Sequence, residues 1–88
     1  MIIDDLLMRF EKAAQAVQKL SKKPDNETLL TLYAWYKQAT AGDLSGPRPG
    51  VFDMVGQAKY TAWSKVKGTG KEKAMEEYIA LVERLLHK

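Results

Sequence analysis

Apolar residues recur every three or four positions in two long stretches of the chain, which predicts an amphipathic helix in each. In the first stretch, about residues 4–20, the apolar positions are Leu6, Leu7, Phe10, Ala13, Ala14, Val17 and Leu20. In the last stretch, about residues 70–87, they are Met75, Tyr78, Ile79, Val82, Leu85 and Leu86. No segment alternates apolar and polar residues for long enough to predict a strand. The pattern therefore predicts an all-α protein.

A second helix is predicted over about residues 26–41, after Pro24 has ended any continuation of the first. Asp25 or Asn26 can cap its first turn, because either side chain accepts a hydrogen bond from a free backbone N–H. Gly42 can adopt the left-handed conformation that ends a helix. This helix has clear signals at both of its ends.

A third helix is predicted over about residues 54–67 and ends at Gly68. Thr69 and Glu72 then have the spacing of a capping box, in which the Thr69 hydroxyl bonds to the Glu72 N–H and the Glu72 carboxylate reaches back. The capping box predicts where the fourth helix begins.

The connection between the second and third helices is long and contains Gly46, Pro47, Pro49 and Gly50, which exclude regular structure there. We expect Val51 and Phe52 to anchor the far end of this loop to the core. Four helices joined by two short connections and one long one predict a helical bundle. The pattern does not fix the order of the helices, although the long loop permits a crossover.

With 88 residues, the chain is expected to form one domain, and it carries a net charge of +3. It has no cysteine, and its one histidine is His87, so thiol chemistry, a histidine-based metal site and a catalytic triad are not expected. The positive charge favours an anionic partner, which could be a phosphate-bearing small molecule, nucleic acid or a membrane surface.

One face of the second helix is unusual for a protein core. Tyr33, Tyr36, Lys37 and Thr40 lie three, four and seven positions apart, which places them on the same side of the helix. In an arbitrary helix the tyrosines would be half-buried and the lysine solvated. Two phenols and a cation also suit a surface that stacks a flat ring and pairs with an anion.

Five blocks of residues, in this order and spacing, resemble the acyl-coenzyme A-binding proteins. They are Tyr33-x-x-Tyr36-Lys37-Gln38-Ala39-Thr40-x-Gly42-Asp43, Arg48-Pro49-Gly50, Lys59-Tyr60-x-Ala62-Trp63, Lys67-Gly68-Thr69 and Ala74-Met75-x-x-Tyr78-Ile79. The resemblance covers nearly the whole chain without insertions. It implies a four-helix bundle with up-down-down-up order, in which the long loop between helices two and three is the crossover.

The resemblance also implies a function. Residues 1–88 would form a single acyl-CoA-binding domain that binds medium- to long-chain acyl-CoA esters non-covalently and acts as a carrier and pool former in the cytoplasm. It implies a monomer without catalytic residues, bound metal or cofactor, and without affinity for nucleic acid. No stable membrane insertion is expected, and at most a transient contact with membranes.

Position by position, the family's ligand contacts fall on Tyr33, Tyr36, Lys37, Lys59 and Tyr78. Residues around the nucleotide and the acyl path fall on Ala14, Gln18, Leu29 and Leu30. The two lysines are expected to meet phosphates, and Tyr33 is expected to lie near the adenine. Gln18 departs from the family, since a basic residue is common at that position.

A second function remains open from the sequence. Small helical proteins with a positive charge also bind nucleic acid or a protein partner through their surface. The scattered lysines and the lack of a short turn before a basic helix count against a helix-turn-helix protein. An enzyme is the third possibility, and no pair of carboxylates with a positioned nucleophile supports it.

Overall fold

The computed structural model describes residues 2–87, with side chains from residue 5 onward; Met1 and Lys88 lie outside the described residues. The described chain forms four helices and no strand, which confirms the predicted all-α class. The helices are α1 (Ile2–Val17), α2 (Asn26–Ala41), α3 (Met54–Ser64) and α4 (Lys71–Leu86). None of them is long and apolar enough to cross a membrane, as judged over the described residues.

The order of the helices is up-down-down-up, as the resemblance implies. The starts of α2 and α3 lie together, because Asn26 borders the same cavity as Met54. Their ends also meet, since the side chains of Gln38 and Trp63 are hydrogen-bonded. Helices α1 and α4 are parallel in the same way, with Leu7 beside Lys71 at their starts. The loop between α2 and α3 is therefore a crossover that runs the length of the bundle.

The apolar core lies between α1, α2 and α4. Its buried members are Leu6, Phe10, Ala13, Leu32, Ala39, Ala74, Tyr78, Ile79 and Val82. These positions repeat every three or four residues in α1 and α4, so most of each predicted stripe is buried. Leu7 and Leu86 belong to the predicted stripes but are exposed. Helix α3 packs against α2 alone among the described helices and contributes no residue to this core.

The bounds of α2 match the prediction because both ends have local caps. The Asp25 carboxylate accepts a hydrogen bond of 2.8 Å from the Thr28 N–H at the N-terminus. At the C-terminus, Gly42 has a φ of 85° and its N–H donates to the Gln38 carbonyl. A residue with a Cβ would be strained at that φ.

The other bounds differ from the predictions by a few residues. Helix α1 begins two residues earlier than predicted and ends at Val17, and α3 ends at Ser64. In both cases the residues that follow continue in tighter turns, such as Lys67 N–H to the Ser64 carbonyl. The predicted capping box is wrong. Gly70 is the N-cap of α4 without any side-chain hydrogen bond, which leaves the Thr69 side chain one position too early to cap.

The crossover loop is held differently from the expectation. Val51 and Phe52 do not anchor it, since their exposed fractions are 78% and 96%. Instead the Arg48 guanidinium lies 5.2 Å from the centre of the Tyr60 ring on α3. Asp53 caps α3 by accepting from the Gly56 N–H, and a Cβ on Gly56 would overlap with that carboxylate. The early glycine in α3 is therefore required by its cap.

Candidate functional site

An aromatic cluster forms where the predicted face of α2 meets α1 and α4. The rings of Phe10 and Tyr36 are stacked with centres 5.5 Å apart, and Tyr78 approaches Phe10 edge-on at 5.1 Å. Tyr78 is buried, whereas Tyr36 is 41% exposed. The cluster therefore reaches from the core to the surface, and the Tyr36 ring forms its accessible part. Thr40 lies next to Tyr36 on this face, and its hydroxyl donates to the Tyr36 carbonyl.

A cavity of about 330 Å³ opens beside this cluster, between α1, α2 and α4. Six residues predicted from the resemblance border it: Ala14, Gln18, Leu29, Tyr33, Tyr36 and Tyr78. Val17 and Leu32 complete its wall. Three phenol rings and one amide around a cavity of this size can stack a flat heterocycle and hydrogen-bond to its polar edge.

A second cavity, of about 370 Å³, continues from the first along the groove between α2 and α3. Leu29 and Tyr33 border both cavities, so the two adjoin at these residues. The predicted residues Leu30 and Lys59 border the second cavity, together with Asn26, Met54, Val55 and Ala58. Its wall is mostly apolar, with Lys59 and Asn26 as the polar exceptions, which suits an aliphatic chain next to a charged group.

The two predicted lysines rest on aromatic rings of the opposite helix. The Lys59 ammonium of α3 lies 5.2 Å from the centre of the Tyr33 ring on α2. The Lys37 ammonium of α2 lies 4.9 Å from the centre of the Trp63 ring on α3. Each contact is a cation–π interaction that joins α2 to α3. Lys37 borders neither of the two cavities, so it is the predicted residue that the structure leaves outside them.

Burial changes the titration of the aromatic cluster. Desolvation raises the pKa of the Tyr78 phenol above its usual value of 10.0, and the neighbouring Tyr36 raises it further. Tyr78 therefore stays neutral at physiological pH and can act as a hydrogen-bond donor beside the cavity.

Apart from Lys59, the resemblance missed the residues of α3 that border the second cavity, which are Met54, Val55 and Ala58. A signal for them is present in the sequence. Val55 and Ala58 lie four and one positions before Lys59, and Met54 lies one turn before Ala58. The helical period puts Val55 on the face that carries Lys59, and Met54 with Ala58 on another face of the same helix.

A buried polar network holds the end of α2 against α3 and the start of α4. The Gln38 side chain is completely buried; its amide donates to the Asp43 carboxylate at 2.8 Å and to the Thr69 carbonyl at 2.7 Å. The Trp63 indole N–H donates to the Gln38 side-chain oxygen at 3.2 Å and to the Gly42 carbonyl at 2.9 Å. Although Gln38 and Asp43 belong to the most distinctive sequence block, their role in the structure is to position α3.

The network lowers the pKa of Asp43. Its carboxylate accepts a hydrogen bond of 2.8 Å from the Gly68 N–H, which is the largest cause. The hydrogen bond from Gln38 and the charge of Lys67 act in the same direction. The ionised form of Asp43 is therefore the one that the fold stabilises.

Larger cavities among the described residues border fewer of the predicted residues than this site does. One of about 720 Å³ borders two of them, Ala14 and Tyr36. A larger cavity of about 510 Å³ lies along the other side of α2 and α3 and contains Trp35 and Lys65, but no tyrosine and, of the predicted residues, only Leu30. Among the side chains that the structure describes, no group of three or more His, Cys, Asp or Glu residues is placed to hold a metal ion.

Comparison with known proteins decides the family. The family model described as acyl CoA binding protein matches residues 8–82. This chain belongs to the acyl-CoA-binding protein family. An acyl-CoA-binding protein of Saccharomyces cerevisiae is 49% identical over 79 residues, which are 90% of this chain and 91% of that protein. The acyl-CoA-binding protein homolog 1 of Caenorhabditis elegans is 45% identical over 83 residues, 94% of this chain and 96% of the homolog.

The family resemblance extends to the fold. The crystal structure of Oryza sativa acyl-CoA-binding protein 2 superposes with a TM-score of 0.89 at 41% sequence identity, covering 93% of this chain and 91% of that one. The four-helix bundle expected for a member of this family is therefore the fold observed here.

Proposed function

We propose that this protein binds medium- to long-chain acyl-CoA esters non-covalently in the two adjoining cavities, and that it forms and carries an acyl-CoA pool. One observation carries the proposal. In a chain of this family, eight of the nine residues expected at the ligand border two cavities that share Leu29 and Tyr33. The first cavity has the rings that a nucleotide needs, and the second has the apolar wall that an acyl chain needs.

Within this proposal the residues have separate roles. Tyr33, Tyr36 and Tyr78, with Ala14 and Gln18, surround the nucleotide. Leu29 and Leu30 follow the acyl chain, and we add Met54, Val55 and Ala58 to them on the evidence of the second cavity. Lys37 and Lys59 pair with phosphates. Gln18 can donate a hydrogen bond to the nucleotide but cannot neutralise a phosphate.

The contacts of the lysines are compatible with that role. A cation–π contact at an exposed site contributes ~0.5–1 kcal/mol, whereas a hydrogen bond to a charged group contributes ~1.5–3 kcal/mol. A phosphate can therefore draw Lys37 from Trp63 and Lys59 from Tyr33. Both lysines sit at the junction of α2 and α3, and Lys59 already borders the second cavity.

Affinity and selectivity come from different parts of the ligand. Burying about a dozen methylenes contributes roughly 10 kcal/mol before the cost of association, at ~0.8 kcal/mol each. That contribution is the same for a free fatty acid of equal length. The phosphate contacts distinguish the CoA ester from the acid.

The family is described as one of binding proteins. We propose accordingly that this protein does no chemistry on its ligand and needs no metal or other cofactor. Residues 1–88 would act as one domain and as a monomer in the cytoplasm, without stable insertion into membranes and without binding nucleic acid.

Titration calorimetry with palmitoyl-CoA, CoA and palmitate tests the proposal. We expect palmitoyl-CoA to bind most tightly. Lys37→Ala should weaken its binding ~10- to 100-fold, which corresponds to the loss of one charge-assisted contact. Lys12→Ala is the matched control, because Lys12 is exposed on α1 and borders neither cavity.

Two outcomes would contradict the proposal. Equal or undetectable binding of all three compounds would exclude selective acyl-CoA binding. Salt-dependent binding of duplex DNA without any response to palmitoyl-CoA would instead favour the second function expected from the sequence. A large fall in the thermal midpoint of Lys37→Ala would assign Lys37 to the fold rather than to the ligand.

A further inference from the structure

A groove runs along the side of α2 and α3 that does not hold the proposed acyl cavity. It is the cavity of about 510 Å³, and its wall consists of residues of α2, of α3 and of the two positions that follow α3. Helix α3 packs against α2 alone among the described helices, and no third helix of the described chain borders this cavity. We call this cavity and its wall the rear groove.

Small side chains of both helices line the rear groove. Ala34 is buried, and Ala58 and Ala62 are half-buried. Small residues let the backbone of a third helix come close to both helices, because the distance between packed helices depends on the side chains at the contact. Gln57 and Lys65 both border the groove and lie about 12 Å apart along a helix axis. The groove is therefore long enough for about two turns of a docked helix.

Two opposite charges stand at the ends of the rear groove. Of the residues that border it, only Glu27 and Lys65 are charged, and both are exposed. Glu27 lies in the first turn of α2, and Lys65 follows the last turn of α3. Because α2 and α3 are parallel, these two charges lie at opposite ends of the groove. The one salt bridge among the described side chains joins Lys73 to Glu77, so both charges are available to a partner.

The charges and the helix dipoles favour one orientation of a docked helix. The N-termini of α2 and α3 carry partial positive charge at the Glu27 end. A helix that runs antiparallel to both places its negative C-terminus at that end, where a basic residue of its last turn meets Glu27. Its positive N-terminus lies at the Lys65 end, where an acidic residue of its first turn meets that ammonium. The same two charges also stabilise the docked helix itself.

Other partners fit these observations less well. Nucleic acid needs several cations and would meet a single lysine here, with a glutamate at the other end. A compact small molecule would leave one of the two charges without a partner. We propose that the rear groove docks an amphipathic helix of a partner protein, antiparallel to α2 and α3, with an acidic first turn at Lys65, a basic last turn at Glu27 and its apolar face on the alanines and Trp35.

A helix in the rear groove also reaches the wall of the proposed acyl cavity. Leu30 and Ala58 border both the groove and that cavity. The docked helix therefore contacts side chains that face the acyl chain on their other side, and the partner can respond to whether the chain is present. This consequence rests on the proposed acyl-CoA binding, whereas the docking itself does not.

Titration of the full chain with two synthetic peptides tests the docking without any acyl-CoA. The first peptide is an amphipathic helix of about 18 residues, held helical by a side-chain staple, with an apolar stripe, glutamate in its first turn and lysine in its last turn. The second has the same composition with the two charges exchanged. In titration calorimetry, the second peptide should bind about tenfold more weakly than the first, because two attractive pairs become repulsive. Amide NMR shifts should change at Trp35, Thr61 and Lys65.

Two variants of the protein test the groove itself. Glu27→Lys/Lys65→Glu exchanges its two charges and should invert the preference, so that the second peptide binds about tenfold more tightly than the first. Thr61→Trp places a large ring in the groove at an exposed position and should weaken binding of the first peptide about tenfold.

Matched control variants are available on α1 and α4. Lys12→Glu/Glu83→Lys exchanges two exposed charges, and Ala80→Trp adds a large ring at an exposed position. None of these three residues borders the rear groove. The controls should bind both peptides like the wild type. All of the substituted positions are exposed, so circular dichroism should report the wild-type fold in every variant.

Several results would overturn the docking proposal. These are no binding of the first peptide, equal binding of the two peptides to the wild type, equal changes in the test and control variants, or concentration-dependent dimers in sedimentation velocity that Thr61→Trp abolishes, which would assign the groove to a second copy. The proposed acyl-CoA site fails separately, as an absence of palmitoyl-CoA binding while peptide binding persists. We expect Thr61→Trp to keep its affinity for palmitoyl-CoA, because Thr61 borders neither cavity of the proposed site.

Discussion

Helices α1, α2 and α4 share one apolar core, whereas α3 packs against α2 alone and is fastened to it by polar and cation–π contacts. Trp63 is the buried residue of α3, and both hydrogen bonds of its indole N–H go to residues at the end of α2. The proposed acyl cavity lies between these two parts of the molecule. One wall of the proposed acyl cavity is therefore the helix that contributes no residue to the shared apolar core.

The largest expected effect comes from a core residue outside α3. Ile79→Ala removes a buried side chain of the shared core and should lower the free energy of unfolding by about 3 kcal/mol, from lost burial and the remaining cavity. Val55→Ala, at an exposed position of α3, should change it by less than ~0.5 kcal/mol. Urea denaturation measures both values. Similar losses in the two variants would show that the Val55 side chain is buried as deeply as the shared core.

An intermediate effect is expected from the polar network. Gln38→Met keeps the size of the side chain but removes the side-chain hydrogen bond to the Thr69 carbonyl and one of the two hydrogen bonds to the Asp43 carboxylate, at a cost of ~1–3 kcal/mol. We expect amide hydrogen exchange to accelerate most in α3. Gln57→Met is the control, since its hydrogen bond to the Gly50 carbonyl lies on the surface. Equal acceleration in α1 and α4 would contradict a separately fastened α3.

The smallest effect is a dependence on pH at Asp43. Its pKa is lowered in the fold, so the stabilisation that it contributes is present above the ordinary value of 3.8 and is lost as the pH falls below it. Asp43→Asn cannot titrate. The gap between the thermal midpoints of the wild type and this variant should therefore narrow from about pH 6 to about pH 2.5. A gap that stays constant would mean that the charge of Asp43 does not contribute.

Sequence signals predicted a structural feature well wherever the residues that cause it lie close together in the chain. Asp25 and Gly42 fix both ends of α2, and the apolar stripes of α1 and α4 mark their buried faces. The capping of α4 was placed one residue too early, because Thr69 and Gly70 both suit an N-cap and the choice depends on the chain before them. The sequence predicts Phe52 in the core because hydrophobic side chains tend to be buried. Whether other residues of the chain cover Phe52 depends on the tertiary fold, which leaves its side chain exposed.

In the candidate site, too, some residues could be predicted from the sequence and others depend on the tertiary fold. The resemblance named eight residues that the structure brings to two adjoining cavities, although it did not name Met54 and Val55 on α3. Gln38 could not be recognised as a buried residue, since its partners lie 5, 25 and 31 positions further along the chain. Contacts over such distances depend on how the crossover loop positions α3.

The pairing of α1 with α4 has a consequence for how the chain folds. Phe10 and Tyr78 are in contact across the core but are separated by 68 positions in the sequence. Closing a loop of that length costs on the order of 4 kcal/mol in chain entropy, so this bundle should fold more slowly than helical proteins built from neighbouring hairpins. During synthesis, the apolar stripe of α1 has no α4 to cover it until translation has passed Val82. A nascent chain that has reached only α3 therefore lacks the α4 partners of Leu6 and Phe10, and apolar surface left uncovered in this way promotes aggregation.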